Sequence, residues 1–143
     1  MKTLAKTLIL GLVMVGGIAF AAASDPDVKA RQMLMQANGA AMKTLSGMAK
    51  GEVAFDAAAA GAAKAALVAD AADTPAKFTN NAADPASKAK PEIWTNWDDF
   101  VAKSNGLGTA AAALDVTSLD GIKAGLGAVG GACGACHQAY KAS

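Results

Sequence analysis

Two cysteines and a histidine stand together near the end of the chain, in the run Cys133-Gly134-Ala135-Cys136-His137. The sequence contains no other cysteine and no other histidine. Two thiols three residues apart on a helix can each add to a vinyl group of a porphyrin, and the adjacent imidazole can reach the iron from the same side. The spacing therefore predicts one covalently attached haem c, held by Cys133 and Cys136, with His137 as an axial ligand of the iron.

Three other interpretations of the motif remain open from the residues alone. A structural disulfide and a thioredoxin-like redox pair are both compatible with an exported chain. A redox pair normally precedes a helix in a βαβ unit, however, and the sequence shows no strand pattern. A zinc site would need a fourth ligand, which the sequence does not offer.

The first 23 residues have the pattern of a secretory signal peptide. Lys2 and Lys6 precede an apolar run from Leu8 to Phe20, and small residues follow at 21–23. A membrane anchor is the alternative, but the apolar run is short for a bilayer of about 30 Å. We therefore predict cleavage after Ala23, no stable membrane anchor, and a periplasmic location.

Residues 24–143 have the length of a single domain. Loss of the two leader lysines changes the formal charge from +1 to −1, which gives no electrostatic reason to bind nucleic acid or an anionic membrane. Alanine dominates the composition while β-branched and aromatic residues are few, so an all-α fold is expected. Because alanine buries little area, its faces would leave space for a large apolar group.

Capping signals and apolar periodicity predict four helices. They run over Pro26–Lys50, from about Asp56 to Ala72, from Pro91 to about Leu114, and from about Ser118 to Lys141, with a long crossover between the second and third. Short links favour an antiparallel up-down-up-down four-helix bundle enclosing one haem c. Five glycines surround the haem motif, namely Gly125, Gly127, Gly130, Gly131 and Gly134. They predict close approach of a flat group to the last helix, unless this stretch is a loop.

Several runs of residues resemble the class II cytochromes c, the cytochrome c-prime family. They are Arg31-Gln32, the run from Lys90 to Trp94, the run from Val129 to His137, and Ala139-Tyr140-Lys141, which together span nearly the whole of residues 24–143. The resemblance implies a four-helix bundle with haem c and redox partner proteins. It leaves open whether two chains pair into a homodimer through their first two helices.

The second axial ligand should come from the first turns of helix one, which lie beside the end of helix four in such a bundle. Met35 belongs to a stripe of apolar residues that recur every seven positions, together with Val28, Met42 and Ala49. Core packing would also produce this pattern. Met33 is a weaker candidate, because it lies on another side of the helix. The resemblance to the low-spin cytochrome c-556 group implies that Met35 binds the iron.

Three further residues are predicted haem contacts. The resemblance implies that Arg31 pairs with a haem propionate, although an arginine on a solvated face is equally common. Trp94 and Phe100 would pack on the haem or in the bundle core.

The sequence therefore predicts a periplasmic one-electron carrier with His137 and Met35 as axial ligands, and not an enzyme. The first alternative is a five-coordinate cytochrome c-prime that binds nitric oxide or carbon monoxide at an open distal site. The second is a haem-free thiol-disulfide oxidoreductase.

Overall fold

Four long helices and one short helix make up the computed structural model, which describes residues 22–143. They are α1 (Pro26–Lys50), α2 (Ala57–Lys77), α3 (Glu92–Thr95), α4 (Trp97–Ala113) and α5 (Leu119–Tyr140). The predicted signal peptide lies almost entirely outside the described residues. Within residues 22–143, no helix combines the length and hydrophobicity needed to cross a membrane.

Side-chain caps begin three of the four long helices, α1, α2 and α5, where the sequence predicts them. The Asp25 carboxylate accepts hydrogen bonds from the backbone N–H groups of Asp27 and Val28, and Asp56 caps α2 in the same way. The Ser118 hydroxyl caps α5 by accepting from the N–H of Gly121 at 3.0 Å. These bonds satisfy backbone donors that have no partner within a helix, so each start is fixed locally.

The predicted end of the second helix at Ala72 is wrong, because α2 continues through Pro75 to Lys77. Proline lacks an N–H and leaves the carbonyl of Ala71, four residues earlier, without its helical donor. The hydroxyl of Ser104 on α4 donates to that carbonyl at 2.7 Å. A side chain from a neighbouring helix thus replaces the missing bond.

The predicted third helix is interrupted at Asn96, whose backbone angles (φ −123°, ψ 46°) are not helical. The carbonyl of Asn96 accepts from the N–H of Phe100 and so begins α4, while its own N–H donates to Glu92. Asparagine has a low helix propensity, which fits a break at this position. The glycines at 106 and 108 do not end α4, in agreement with the prediction.

The four long helices form a closed ring in which α1 packs on α2, α2 on α4, α4 on α5, and α5 on α1. The all-α, antiparallel four-helix bundle is therefore confirmed. One core contains the fully buried side chains Leu45, Leu67, Leu114, Ile122 and Val129. A second cluster, which we call the aromatic cluster, contains Phe78, Ile93, Phe100 and Tyr140. Helices α1 and α5 pack least closely, and the space between them opens beside the aromatic cluster.

Glycines of α5 serve two different purposes. A methyl group on Gly125 would lie 2.7 Å from Cδ1 of Leu114, so this glycine allows close packing of the α4–α5 connection. Gly127, Gly130, Gly131 and Gly134 instead face open space, because a methyl group on any of them would meet no side chain or neighbouring element within 4 Å. Gly125 is therefore explained by helix packing, and close approach of a flat group to the other four glycines stays a prediction.

The crossover, residues 78–91, is an ordered segment that is hydrogen-bonded to α1 and to the residues just before it. The amide nitrogen of Gln32 donates to the carbonyl of Ala86 at 3.0 Å. Asp84 accepts from the backbone N–H groups of Ser24, Asp25 and Ala86 at 2.7 to 2.9 Å. The crossover therefore closes one end of the bundle, as the sequence predicts.

Neutralisation of Asp84 should weaken the protein at neutral pH but not in strong acid. Hydrogen bonds from the N–H groups of Asp25 and Ala86 lower the pKa of Asp84 to about 2. A lowered pKa stabilises the fold above pH 4, and this stabilisation disappears as the pH falls towards 2. Urea unfolding from pH 7 to pH 2 should therefore show a shallower loss of stability for Asp84→Asn than for the parent protein. Asp98→Asn makes the same charge change and is the control. Its free energy of unfolding should fall with pH as steeply as that of the parent protein. An equally steep fall in both variants would contradict the role of Asp84.

Candidate functional site

Helix α5 brings the haem motif to one face. Cys133, Cys136 and His137 occupy positions i, i+3 and i+4, which are neighbours on a helix surface. Both thiols are half-buried and free, so a disulfide between them is absent. Within residues 22–143 no group of three His, Cys, Asp or Glu side chains is placed to hold a metal ion.

Two neighbouring cavities lie beside this face, with volumes of about 280 and 210 Å³. Residues of α1, α2, α4 and α5 line them, together with parts of the crossover. Four residues line both cavities: Met35, Thr74, Cys136 and His137. The cavities therefore meet where the motif faces α1.

The methionines of α1 differ in their relation to this space. Met35 lines both cavities, whereas Met42 lines only the second. Met33 is 68% exposed and lines neither, so it is excluded as a partner of the motif. The structure thus brings Met35 and His137 to the same space from two different helices.

The aromatic cluster closes the first cavity on the side of α4. Phe100 lines the cavity and packs edge-on against Tyr140, with ring centroids 5.4 Å apart. The Tyr140 hydroxyl donates to Asp99 at 2.5 Å, and this bond raises the pKa of Tyr140 to about 12. Trp94 lines neither cavity, and its indole N–H donates to the carbonyl of Phe78 at 2.7 Å. The predicted haem contact of Phe100 is thus well placed, while that of Trp94 stays a prediction.

Arg31 is a buried cation at the edge of the first cavity, with 3% of its surface exposed. Its Nε donates to the carbonyl of Lys77 at 3.0 Å, and its Nη2 donates to the carbonyl of Asn80. Its guanidinium carbon lies 4.9 Å from the ring centroid of Phe78 and 5.3 Å from that of Trp94. Nη1 has no acceptor among the described residues. A buried, unpaired N–H of a cation calls for a hydrogen-bond acceptor, a role that an anionic group fills well.

The protein environment shifts the pKa of each of the three side chains of the motif. Removal of water around His137 lowers the pKa of its imidazole, and the charge of Lys141 acts in the same direction. The neutral imidazole, which is the form that binds a metal, is therefore favoured. Burial raises the pKa of the thiols of Cys133 and Cys136.

Some residues that line the site, among them Thr74 and Phe78, are not predicted from the sequence. Thr74 lines both cavities, and its hydroxyl donates to the carbonyl of Asp70 at 2.7 Å. Phe78 lines the first cavity. Both lie where the sequence predicts the end of a helix and a polar connection. The isolated aromatic residue at 78 was the one available signal.

The described residues around the motif fit a haem. The two cavities provide mainly apolar walls, and Cys133, Cys136 and His137 all line this space. The charged side chains that line the cavities within residues 22–143 are all basic, namely Arg31, Lys88, Lys103 and Lys141. Basic side chains complement the anionic propionates of a haem.

Comparisons with known proteins agree with this fit. The profile of the family described as Cytochrome C' matches residues 27–141. Cytochrome c-556 of Agrobacterium fabrum is 35% identical, with 99% of this chain and 95% of the relative covered. Cytochrome c' of Rhodopseudomonas palustris is 34% identical over 94% of this chain and 93% of the relative.

A solved structure of oxidised R. palustris cytochrome c556 superimposes with a TM-score of 0.76 at 29% identity. The alignment covers 82% of this chain and 97% of that protein. Proteins of this family carry electrons or bind gases through haem c. The chain belongs to the cytochrome c' family, and its cofactor is haem c.

Proposed function

We propose that this protein is a periplasmic one-electron carrier in which the iron of a single haem c is bound by His137 and Met35. Thioether bonds from Cys133 and Cys136 would attach the haem. The haem supplies a reversible one-electron change at iron, and the chain's own residues set its coordination and surroundings. Redox partner proteins would exchange the electrons.

The position of Met35 carries this proposal. Met35 and His137 line both cavities, from α1 and α5 respectively, so the two side chains border one space from two neighbouring helices. Met35 also packs against the aromatic cluster, as does Cys136. A methionine ligand keeps the iron six-coordinate and raises its reduction potential, which suits electron transfer.

Other residues would bind and shield the haem. The unpaired Nη1 of Arg31 offers a buried donor to a propionate, while Nε and Nη2 hold the guanidinium on the crossover. Phe100 and Phe78 would exclude water from one face. The relatives named cytochrome c-556 and cytochrome c' match this chain at similar identity. Their names therefore do not decide how the iron is ligated, and the proposal depends on the residues of this chain.

The predicted signal peptide at the start of the chain supports the periplasmic part of the proposal. Cleavage after Ala23 would make Ser24 the new N-terminus. Its nitrogen lies 2.7 Å from the Asp84 carboxylate, so the new ammonium group would gain an ion pair with the crossover. A homodimer stays a prediction.

The absorption spectrum of the haem-loaded protein tests the proposed ligation. A carrier with a methionine ligand should show low-spin bands and, in the ferric state, a sulfur-to-iron charge-transfer band in the far red. The ferrous protein should bind carbon monoxide slowly and weakly. A high-spin spectrum with rapid uptake of carbon monoxide would contradict the carrier and favour the gas-binding alternative.

A further inference from the structure

The C-terminal end of α5 carries His137 in its last turn. The last four carbonyls of a helix have no donor within the regular helix and need partners elsewhere. In α5 these are the carbonyls of residues 137–140. That of His137 accepts from the N–H of Lys141 at 3.0 Å.

One residue of the crossover, Lys90, supplies donors to the other three carbonyls. Its Nζ donates to Gln138 at 3.2 Å and to Ala139 at 3.4 Å. Its backbone N–H donates to Tyr140 at 2.9 Å. The positive charge of the ammonium group also complements the negative end of the helix dipole.

The local sequence explains why Lys90 can act in this way. Pro91 disfavours helical backbone angles in the preceding residue and keeps Lys90 extended. Next to it, Ala89 and Lys141 form an isolated antiparallel bridge, and the N–H of Ala142 donates to the carbonyl of Lys88 at 2.8 Å. The crossover therefore lies alongside the end of α5, which directs both donors of Lys90 to its carbonyls.

We propose that Lys90 is a positioning residue for the haem ligand: it fixes the last turn of α5 and thereby the direction of the His137 imidazole towards the iron. This inference rests on the proposed role of His137 as axial ligand. Without the ammonium group, the carbonyls of Gln138 and Ala139 lose their donors and the turn opens more often. The imidazole then samples a wider range of orientations, and its bond to iron weakens.

Three variants of the haem-loaded protein test this inference. Lys90→Met removes the ammonium group and keeps the length of the side chain, whereas Lys90→Arg restores a cation with several donors. Lys64→Met is the matched control, because Lys64 also donates from Nζ to a carbonyl at a helix end, that of Leu114 at 2.8 Å. Leu114 packs against Gly125, about two turns of α5 before the haem motif begins.

Two measurements report on the turn and on the iron bond. Hydrogen exchange at the amides of Tyr140 and Lys141 should become at least tenfold faster in Lys90→Met, near the parent rate in Lys90→Arg, and unchanged in Lys64→Met. Resonance Raman spectra of the ferrous proteins, recorded in a Met35→Ala background that leaves the iron five-coordinate, should show a weaker and broader iron–histidine stretch in Lys90→Met alone.

Faster exchange with an unchanged iron–histidine stretch would overturn the positioning role, and so would equal changes in Lys64→Met. Unchanged exchange in Lys90→Met would overturn the anchoring of the turn itself. Absence of the stretch from the Met35→Ala parent would instead contradict His137 as ligand, a failure of the proposed function that is visible before Lys90 is altered.

Discussion

The Met35→Ala variant is expected to change the ferric haem from low spin to high spin. Alanine cannot reach the iron, and no other methionine of α1 borders both cavities, so the sixth position would be empty or filled by water. The far-red charge-transfer band should disappear, and the ferrous protein should bind carbon monoxide far more rapidly than the parent. Absorption spectroscopy and carbon monoxide mixing experiments measure both effects.

Met33→Ala provides the matched control, because it removes a methionine from the same helix at a position that is 68% exposed. Its spectrum should equal that of the parent. A low-spin Met35→Ala protein that keeps the far-red band would show that another sulfur ligates the iron. A parent that is already high spin would assign Met35 to core packing.

Loss of the Arg31 side chain should destabilise the fold by about 3 kcal/mol, because two hydrogen bonds from a buried cation are removed. Arg31→Ala leaves the carbonyls of Lys77 and Asn80 without these donors and removes the cation from between the rings of Phe78 and Trp94. The end of α2 and the start of the crossover would then detach from α1. Urea unfolding of the haem-free and haem-loaded proteins measures the change.

Arg31→Lys separates charge from geometry. A lysine keeps the positive charge but cannot reproduce the planar arrangement of donors, so it should recover only part of the lost stability. If a propionate pairs with Nη1, the loss should be larger in the haem-loaded than in the haem-free protein. A change in the free energy of unfolding below about 0.5 kcal/mol in Arg31→Ala would contradict this role, because substitutions of ordinary surface residues have effects of that size.

Local sequence signals predict the starts of α1, α2 and α5 well, since each of these caps involves neighbours in the chain. Asp25, Asp56 and Ser118 bond to N–H groups two or three residues ahead. The end of α2 depends instead on Ser104, which lies 33 residues beyond Ala71 in sequence. No local pattern around Pro75 could reveal this partner, so the prediction placed the helix end too early.

The same distinction applies to the candidate site. The spacing of Cys133, Cys136 and His137 is local, and the stripe containing Met35 follows from helical periodicity, so both were available from the sequence. Thr74 enters the site because α2 continues farther than predicted. Lys90 reaches the end of α5 across 48 residues of sequence. Gly125 looks like the other glycines of α5 until the position of Leu114 is known.

Peptide mapping of the exported protein directly tests whether haem is covalently attached to Cys133 and Cys136. The protein should be produced in a bacterium able to attach haem c, then alkylated, digested and analysed by mass spectrometry. A peptide that contains Cys133 to His137 should carry the mass of one haem, and neither thiol should react with the alkylating reagent. Recovery of that peptide without haem, with both cysteines alkylated or joined in a disulfide, would contradict the covalent attachment of haem to this protein.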